Sequence, residues 1–467
     1  MQIKFCGAAK TVTGSSHLIT LSDGYNVLLD CGMFQGKQAY IDEMNQSFLF
    51  NPADIDVMIL SHAHIDHCGR IPKLVKEGFA GIIYCTEATA DLVAIMLADS
   101  AFIQEKDSEW HNKKRKKKGL PPLEPLYTTK EVPAVIEKLR RVPYEKWVSI
   151  KPGLEFLLRD NGHILGSASV HLKITEGEKQ TMLGFTGDIG RPNRPILKDP
   201  ISMEQCDYLI SESTYGGRIH TSAPDDANHF LEVINKTCVE QKGKVLIPAF
   251  SIGRTQEIVY MLDQMEKKGL LPRVPVYVDS PLSTNATEIY RSHSECFDDE
   301  IKKYLTTDDN PFGFNNLHYI REVEDSKKLN NETEACIIIA ASGMAEAGRI
   351  THHIFNHIEN SNNTLMLVGY CGEGTLGARI RNGENPIRIF GEAKKVNAKI
   401  EIMDSFSAHG DHNEMLRFLD NQNRNQLQKL FLVHGEPEAQ DAFRKGLIEN
   451  KFTNVVIPNK GETVVIN

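Results

Sequence analysis

Four side chains able to bind a metal fall within six residues of one segment, Ser61-His62-Ala63-His64-Ile65-Asp66-His67, directly after the apolar run Val57–Leu60. In a loop leaving a strand they can converge, and a mixture of imidazole and carboxylate suits zinc. Two sets form naturally, His62 with His64 and Asp66 with His67, which points to two metals rather than one. A merely solvated loop is the competing reading, but such density is costly in charge and order without a metal. Further single ligands are expected from other strand ends. His163 lies between two strands in Gly162–Ala168. Asp188 follows the apolar strand Thr181–Phe185, where its carboxylate could bridge both metals. His434 ends the strand Phe431–Val433. Taken alone each reads equally well as a loop residue; the argument lies in their shared position at a strand terminus beside glycine. Asp30, after Leu28-Leu29, reads either as a turn aspartate or as a carboxylate orienting a ligand histidine through its second nitrogen.

The chain of 467 residues exceeds what one hydrophobic core usually organises, so two domains are expected. No apolar run is long enough to span a membrane, and Met1–Cys6 reads as a strand without a signal region, which places the protein in the cytoplasm. Nine unevenly spaced cysteines, none in a Cys-x-x-Cys pair, argue against a disulfide framework and a zinc ribbon. A net charge of −9 argues against a non-specific nucleic-acid coat protein, although it leaves a nuclease open.

Short strands are expected at Ile3–Phe5, His17–Thr20, Asn26–Asp30, Val57–Leu60 and Ile82–Cys85, then an amphipathic helix over Thr86–Ala98. Lys113–Lys118 and Pro121–Pro125 read as a basic, proline-punctuated insertion, ordinarily a solvated loop and alternatively an RNA-backbone contact. Strands resume at Leu154–Leu158, Ser169–Ile174, Thr181–Phe185 and Tyr208–Ser211. After Glu212 the rhythm changes. Helices Asp225–Gln241, Gly253–Lys268 and Ile350–His357 alternate with strands Lys244–Ile247, Val276–Asp279, Ala335–Ala340 and Thr364–Val368, as in a parallel sheet covered on both faces. From Ala398 short strands and helices return, ending with Phe431–His434, Pro437–Asn450 and Val455–Ile457.

With Asp30 before it and His163 and Asp188 after it, His-x-His-x-Asp-His resembles the metallo-β-lactamase superfamily signature. Glu212 in Ser211–Gly216, His409 in Phe406–Asp411, and His434 narrow the resemblance to the β-CASP nucleases. Pro248–Arg254, Asp279–Leu282, Ser342–Met344 and Glu373–Gly377 match that family as well. The resemblance implies a metallo-β-lactamase αββα sandwich of residues 1–205 and 398–467, with a β-CASP α/β domain of parallel sheet inserted over 206–397. It implies one zinc on His62, His64 and His163, a second on Asp66, His67 and His434, and Asp188 shared, hence two zinc ions per chain. A histidine at position 434 favours RNA over DNA, since DNA-repair branches commonly carry an apolar residue there. With no room for N-terminal KH domains or an extra C-terminal domain, the chain most resembles the compact single-chain relatives of the polyadenylation endonuclease.

What the resemblance implies is a zinc-dependent ribonuclease acting on single-stranded RNA, an endonuclease ahead of a 5′-exonuclease, with a homodimer allowed. Two zinc ions ~3.5–4 Å apart generate hydroxide near neutral pH and neutralise charge on the phosphoryl group. Asp66 and Asp188 would fix the metals and orient the attacking water. His409, held by Glu212, would be the general acid, against the alternative of a purely structural hydrogen bond. Backbone amides around Ser342, Gly343 and Met344 would receive a phosphate, as would Ser280 and Arg254; Arg349, Arg379 and Arg381 read first as salt-bridge residues. Cys68 reads as packing rather than as a soft ligand. The alternatives are a DNA-directed β-CASP nuclease, a thioester or lactone hydrolase of the same superfamily, and a non-catalytic scaffold.

Overall fold

The computed structural model describes residues 1–36, 40–220, 226–369, 371–372, 374–403 and 406–466. Glu373 of the Glu373–Gly377 motif and Asp225 at the expected helix start lie outside the described residues. The chain divides into two compact units. The first comprises residues 1–194, 198–219 and 409–467, the second 195–197 and 220–408.

In the first unit, strands of two to nine residues form two seven-stranded sheets. In one, Gln2–Phe5 pairs antiparallel with Thr463–Val465 and with His17–Thr20, which pairs antiparallel with Asn26–Leu29. Val57–Ile59, Ile82–Cys85 and Leu139–Arg141 extend it in parallel. The other runs, in spatial order, Val455–Val456, Lys429–Leu432, Tyr208–Ser211, Lys179–Phe185, Ala168–Glu176, Leu154–Asp160 and Val148–Lys151. Side chains alternate along a strand, so Ile3 and Phe5, Val27 and Leu29, and Val57 and Ile59 each put an apolar pair on one face. They join one buried core with Phe156, Leu158, Val170, Leu172, Leu183, Phe185, Ile210 and Phe431 of the other sheet. The rings of Phe5 and Phe431 meet at 5.1 Å. Full burial of such side chains contributes roughly 1.5–3 kcal/mol each. His17 lies inside this core between Phe5 and Phe185, with neither ring nitrogen partnered; burial pulls its pKa down to about 3 and keeps it neutral. A histidine here packs rather than ligates.

The second unit is built on a six-stranded sheet in the order Leu317–Tyr319, Val276–Val278, Ile337–Ala340, Val245–Pro248, Thr364–Val368 and Lys399–Met403, with every pairing parallel. Such strands are covered on both faces and therefore read as continuous apolar runs. Helix Arg349–His357 and the residue after it lay Ile350, Ile354 and Ile358 against Leu246, Ile338 and Leu365 at the i, i+4 spacing of one helix face.

Tyr208–Ser211 pairs in the first unit's sheet and carries residues 206–219 with it, while Lys399–Met403 pairs with Thr364–Val368 and carries 398–408 into the second unit. The compact units therefore divide near 220 and 409, because strand pairing decides which residues pack together. Two expectations are corrected. The helix expected to end at Ala98 runs Glu87–Lys117, capped by the Thr86 hydroxyl accepting from the Thr89 amide. Its apolar face stops at Ala101, but strong helix formers and a Lys106–Glu109 pair carry the backbone on. Lys113–Lys117 consequently form the last turns of a helix, where cations suit its C-terminal end, and are not a loop. Among the described residues no helix is long and apolar enough to cross a membrane.

Candidate metal centre

Strand ends of the first unit deliver the candidate ligands. His62 and His64 lie in the loop after Val57–Ile59, and Asp66 and His67 in the short helix Ile65–Cys68 that follows. His163 comes from the connection between Leu154–Asp160 and Ala168–Glu176, Asp188 from just past Lys179–Phe185, and His434 from just past Lys429–Leu432. Gly32 lets the first loop close: a Cβ there would meet the Asp66 carbonyl oxygen at 1.6 Å.

The side chains converge. One ligand atom from each of His62, His64, His163 and Asp188 lies within 4.8 Å of the others, and the same holds for Asp66, His67 and His434. The His64 Nδ1 stands 3.2 Å from the Nε2 of both His62 and His163, and the Nε2 atoms of His67 and His434 are 3.2 Å apart. Asp188 Oδ2 lies 3.6 Å from His62 Nε2, 3.6 Å from His163 Nε2 and 3.3 Å from His67 Nε2, so it touches both groups. Zn–N bonds of ~2.0–2.1 Å put neighbouring corners of a tetrahedron about 3.3 Å apart, which these separations match. Asp188 Oδ1 is buried without a hydrogen-bond partner. That isolation would be costly unless a cation compensates it. The donor set therefore fits metal ions.

Electrostatics of the first group agree with that reading. In the second, burial is outweighed by Asp188 and Asp30, which raise the His67 pKa well above the ordinary range; a bound cation would displace that proton. Burial lowers the His62 and His163 pKa values well below the ordinary range, and takes His64 down to about 4, leaving neutral rings able to donate lone pairs. Burial would raise the Asp188 carboxyl, but His434 and His67 outweigh it and hold the group well below the usual carboxylate range.

Outward-facing nitrogens are held too. His67 Nδ1 meets Asp30 Oδ2 at 2.7 Å, and His434 Nδ1 meets the Thr214 hydroxyl at 2.9 Å. Ser61 Oγ lies 3.1 Å from His62 Nδ1 and donates to Asp30 Oδ2, which also accepts from Ser15 Oγ. Asp30 reaches this position with a φ of 58°, a backbone region sparsely used by non-glycine residues. Partners of this kind fix ring orientation.

Beside the cluster, His409 Nδ1 is 3.3 Å from Glu212 Oε1 and 4.0 Å from Asp188 Oδ2, and its ring centroid is 4.6 Å from that of His163. Glu212 is fully buried and anchored by the amides of Ile189 and Thr214. Burial works against protonation of His409, but Glu212, Asp188 and Asp66 outweigh it and raise the pKa to about 9. Cations bound to the adjacent side chains would pull that value down, toward the working range of a general acid. Asp188, Glu212 and His434 also stand close enough to form a third potential ligand group.

Comparison with known proteins bears on this arrangement. Residues 9–236 match the metallo-beta-lactamase superfamily, 255–380 the Beta-Casp domain, and 394–458 the Zn-dependent metallo-hydrolase RNA specificity domain. A ribonuclease of Thermus thermophilus is 35% identical over 467 residues, 100% of both chains. The chain belongs to the β-CASP branch of the metallo-β-lactamase superfamily. An RNase J-like protein of Methanocaldococcus jannaschii is 30% identical over 99% of both chains. Transcription termination factor FttA of Methanosarcina mazei is 30% identical over 94% of this chain and 67% of its own length.

The other residues singled out in this β-CASP chain lie in the second unit, apart from Cys68. The Arg254 guanidinium pairs with Glu257 and lies 5.2 Å from the Phe406 ring centroid. Ser280 caps helix Pro281–Ser292 through the Ser283 amide, and Ser342 Oγ accepts from the Ala347 amide at 3.3 Å. A Cβ on Gly343 would meet the Phe250 ring at 2.7 Å, and the Met344 carbonyl accepts from Gly377. Arg349 pairs with the buried Asp279 at 2.7 Å, and Arg379 pairs with Glu384. Cys68 is buried, donates to the Ala63 carbonyl, and has its thiol pKa pushed well up by burial. Sequence reasoning missed Ser15, Ser61 and Thr214. Only the adjacency of Ser61 to His62, and of Thr214 to Glu212-Ser213, could have pointed to two of them.

Asp30→Asn keeps the shape of the group that accepts from Ser61 and faces His67 but removes its charge. Metal affinity is expected to fall about 10–100-fold, read by competition against a chromogenic chelator. Unchanged affinity would make Asp30 a turn residue only.

Proposed function

We propose that this chain is a zinc-dependent ribonuclease that hydrolyses phosphodiester bonds in single-stranded RNA, cutting internally. The observation that carries the reading is Asp188, which lies within 3.6 Å of nitrogens from both ligand groups and 4.0 Å from His409. In this reading His62, His64 and His163 hold one zinc, Asp66, His67 and His434 the other, and Asp188 both. Zinc supplies a nucleophile near neutral pH and neutralises charge on the phosphoryl group. Asp66 and Asp188 orient the attacking water through their carboxylates. His409 gives its proton to the departing ribose oxygen, and Glu212 keeps the ring aimed. The names of the Thermus and Methanocaldococcus relatives support RNA as substrate, and resemblance to the polyadenylation endonuclease supports internal cleavage. Phosphate contacts by Ser280, Ser342, Gly343, Met344 and Arg254 belong to the same reading; for Arg254 they require the Glu257 pair to open. All nine cysteines are free, which fits the reducing cytoplasm.

A circular RNA, which has no ends, tests the mode of cleavage. Protein analysed for metal is expected to hold close to two zinc ions per chain and to linearise the circle. Release of mononucleotides from 5′-labelled linear RNA, with the circle left intact, would show a 5′-exonuclease instead. One ion or none after zinc addition would overturn the two-metal assignment.

A further inference from the structure

The far half of helix Glu87–Lys117 does nothing for the core. No residue from 102 to 126 is buried, yet the segment is well built. Asn112 exchanges two hydrogen bonds with the Leu123 backbone, at 2.9 and 2.7 Å, and Arg115 Nε donates to the Pro121 carbonyl at 2.6 Å. The chain after the helix is thus pinned back along it as an arm.

We propose that this arm is a second docking surface for single-stranded RNA, distinct from the metal centre; the inference rests on the ribonuclease reading above. Six consecutive cations, Lys113 to Lys118, crowd its tip, and among the described residues none has a carboxylate within ion-pair distance. The helix's carbonyl end offsets only about half a charge. In a chain of net charge −9 such a concentration calls for an anionic partner. Two aromatic rings stand in water beside it, Phe102 54% and Trp110 53% exposed. Residues 102, 106, 110 and 114 follow one another at i, i+4 along one side, alternating ring and cation. Lys114 Nζ lies 3.4 Å from the Trp110 ring centroid and Lys106 Nζ 5.7 Å from that of Phe102. Exposed rings on which bases stack, beside cations that neutralise phosphates, are the chemistry of single-strand binding. Burial of this face in a lipid surface is opposed by Asp107 and Glu109, which interrupt it, and pairing with a second copy by repulsion among the cations.

Its placement sets a length dependence. Thr86 and Thr89, at the helix start, both donate to the Gly166 carbonyl in the loop that carries His163. At 1.5 Å per residue Trp110 lies about 30 Å further along the axis. Short RNAs will not reach both places.

Trp110 is one of only two tryptophans, so Trp147→Phe leaves it as the sole tryptophan, excited selectively at the red edge of the absorption band. Titrating the metal-loaded protein with a nuclease-resistant single-stranded oligoribonucleotide of twenty nucleotides is expected to quench Trp110 saturably. Replacing Lys113, Lys114, Lys116 and Lys117 by Gln should weaken binding about tenfold or more and lower the slope of log Kd against log salt by ~0.7 for each lysine engaged. The same variant should lose more kcat/KM on a twenty-nucleotide RNA than on one of five. Absence of quenching and of any affinity change, in protein that cleaves RNA normally, overturns the arm and leaves the ribonuclease reading intact. Quenching by phosphatidylglycerol vesicles but not by RNA would make the arm a membrane contact instead. Wild-type protein that neither binds nor cleaves RNA defeats both readings.

Discussion

Asp188→Asn is expected to remove metal and to lower RNA cleavage by about 10³-fold or more. Four imidazoles crowd this one carboxylate. Oδ2 is 3.3 Å from His67 Nε2 and 3.6 Å from the Nε2 atoms of His62 and His163, and Oδ1 is 3.6 Å from His434 Nδ1. Burial opposes its ionisation, and the neighbouring His434 and His67 still hold it charged. Asparagine preserves the shape but offers a neutral oxygen to a site built around an anion. A metal contributes several kcal/mol of charge stabilisation in the transition state, and each 1.4 kcal/mol is tenfold in rate. Metal analysis of the purified variant, beside single-turnover cleavage, reads both effects. A variant that keeps two zinc ions and cleaves within about tenfold of wild type would show that Asp188 is not shared between them.

How much of this was legible in the chain depends on what brings each group into place. His62, His64, Asp66 and His67 are close because the covalent chain makes them so, and their pattern is visible at once. His67 and His434 are 367 residues apart and meet because the sheet holding Val57–Ile59 and the sheet holding Lys429–Leu432 pack on one core. Asp188 comes beside His434 because Tyr208–Ser211 pairs in parallel with both Lys179–Phe185 and Lys429–Leu432. Periodicity marks each of those strands as buried but not which strands are neighbours; the family resemblance supplied that link. The second unit's strands were visible because apolar runs such as Ile337–Ala340 and Thr364–Val368 have no polar alternation to confuse them. Thr214 and Ser61 carried no signal of their own, since a hydroxyl beside a histidine nitrogen is created by the fold. The helix beyond Ala98 was missed for a related reason: its apolar stripe ends within one turn, at Ala101, while charged residues of high helix propensity carry it on.

His409→Ala is expected to cut the cleavage rate by ~10²–10⁴-fold, the usual worth of a positioned proton donor, while both metals stay bound. The seven residues assigned to the metals leave no place that His409 must fill. Its Nδ1 instead faces Glu212 at 3.3 Å, and its ring packs beside His163 with 20% of the side chain exposed. Glu212 is poorly placed to reach a substrate, being buried and engaged by the amides of Ile189 and Thr214. Its effect must pass through His409. Glu212→Gln should therefore give a smaller rate defect, and none at all when added to His409→Ala, because a misdirected ring cannot matter once the ring is gone. RNA affinity should change far less than rate, since phosphate contacts come mostly from other groups. A purely structural bond between the two side chains predicts the opposite pattern: lowered thermal stability for both variants, with the rate close to wild type. Metal content separates a third case. If His409→Ala loses a metal ion, His409 is a ligand, and the group formed by Asp188, Glu212 and His434 needs a new account.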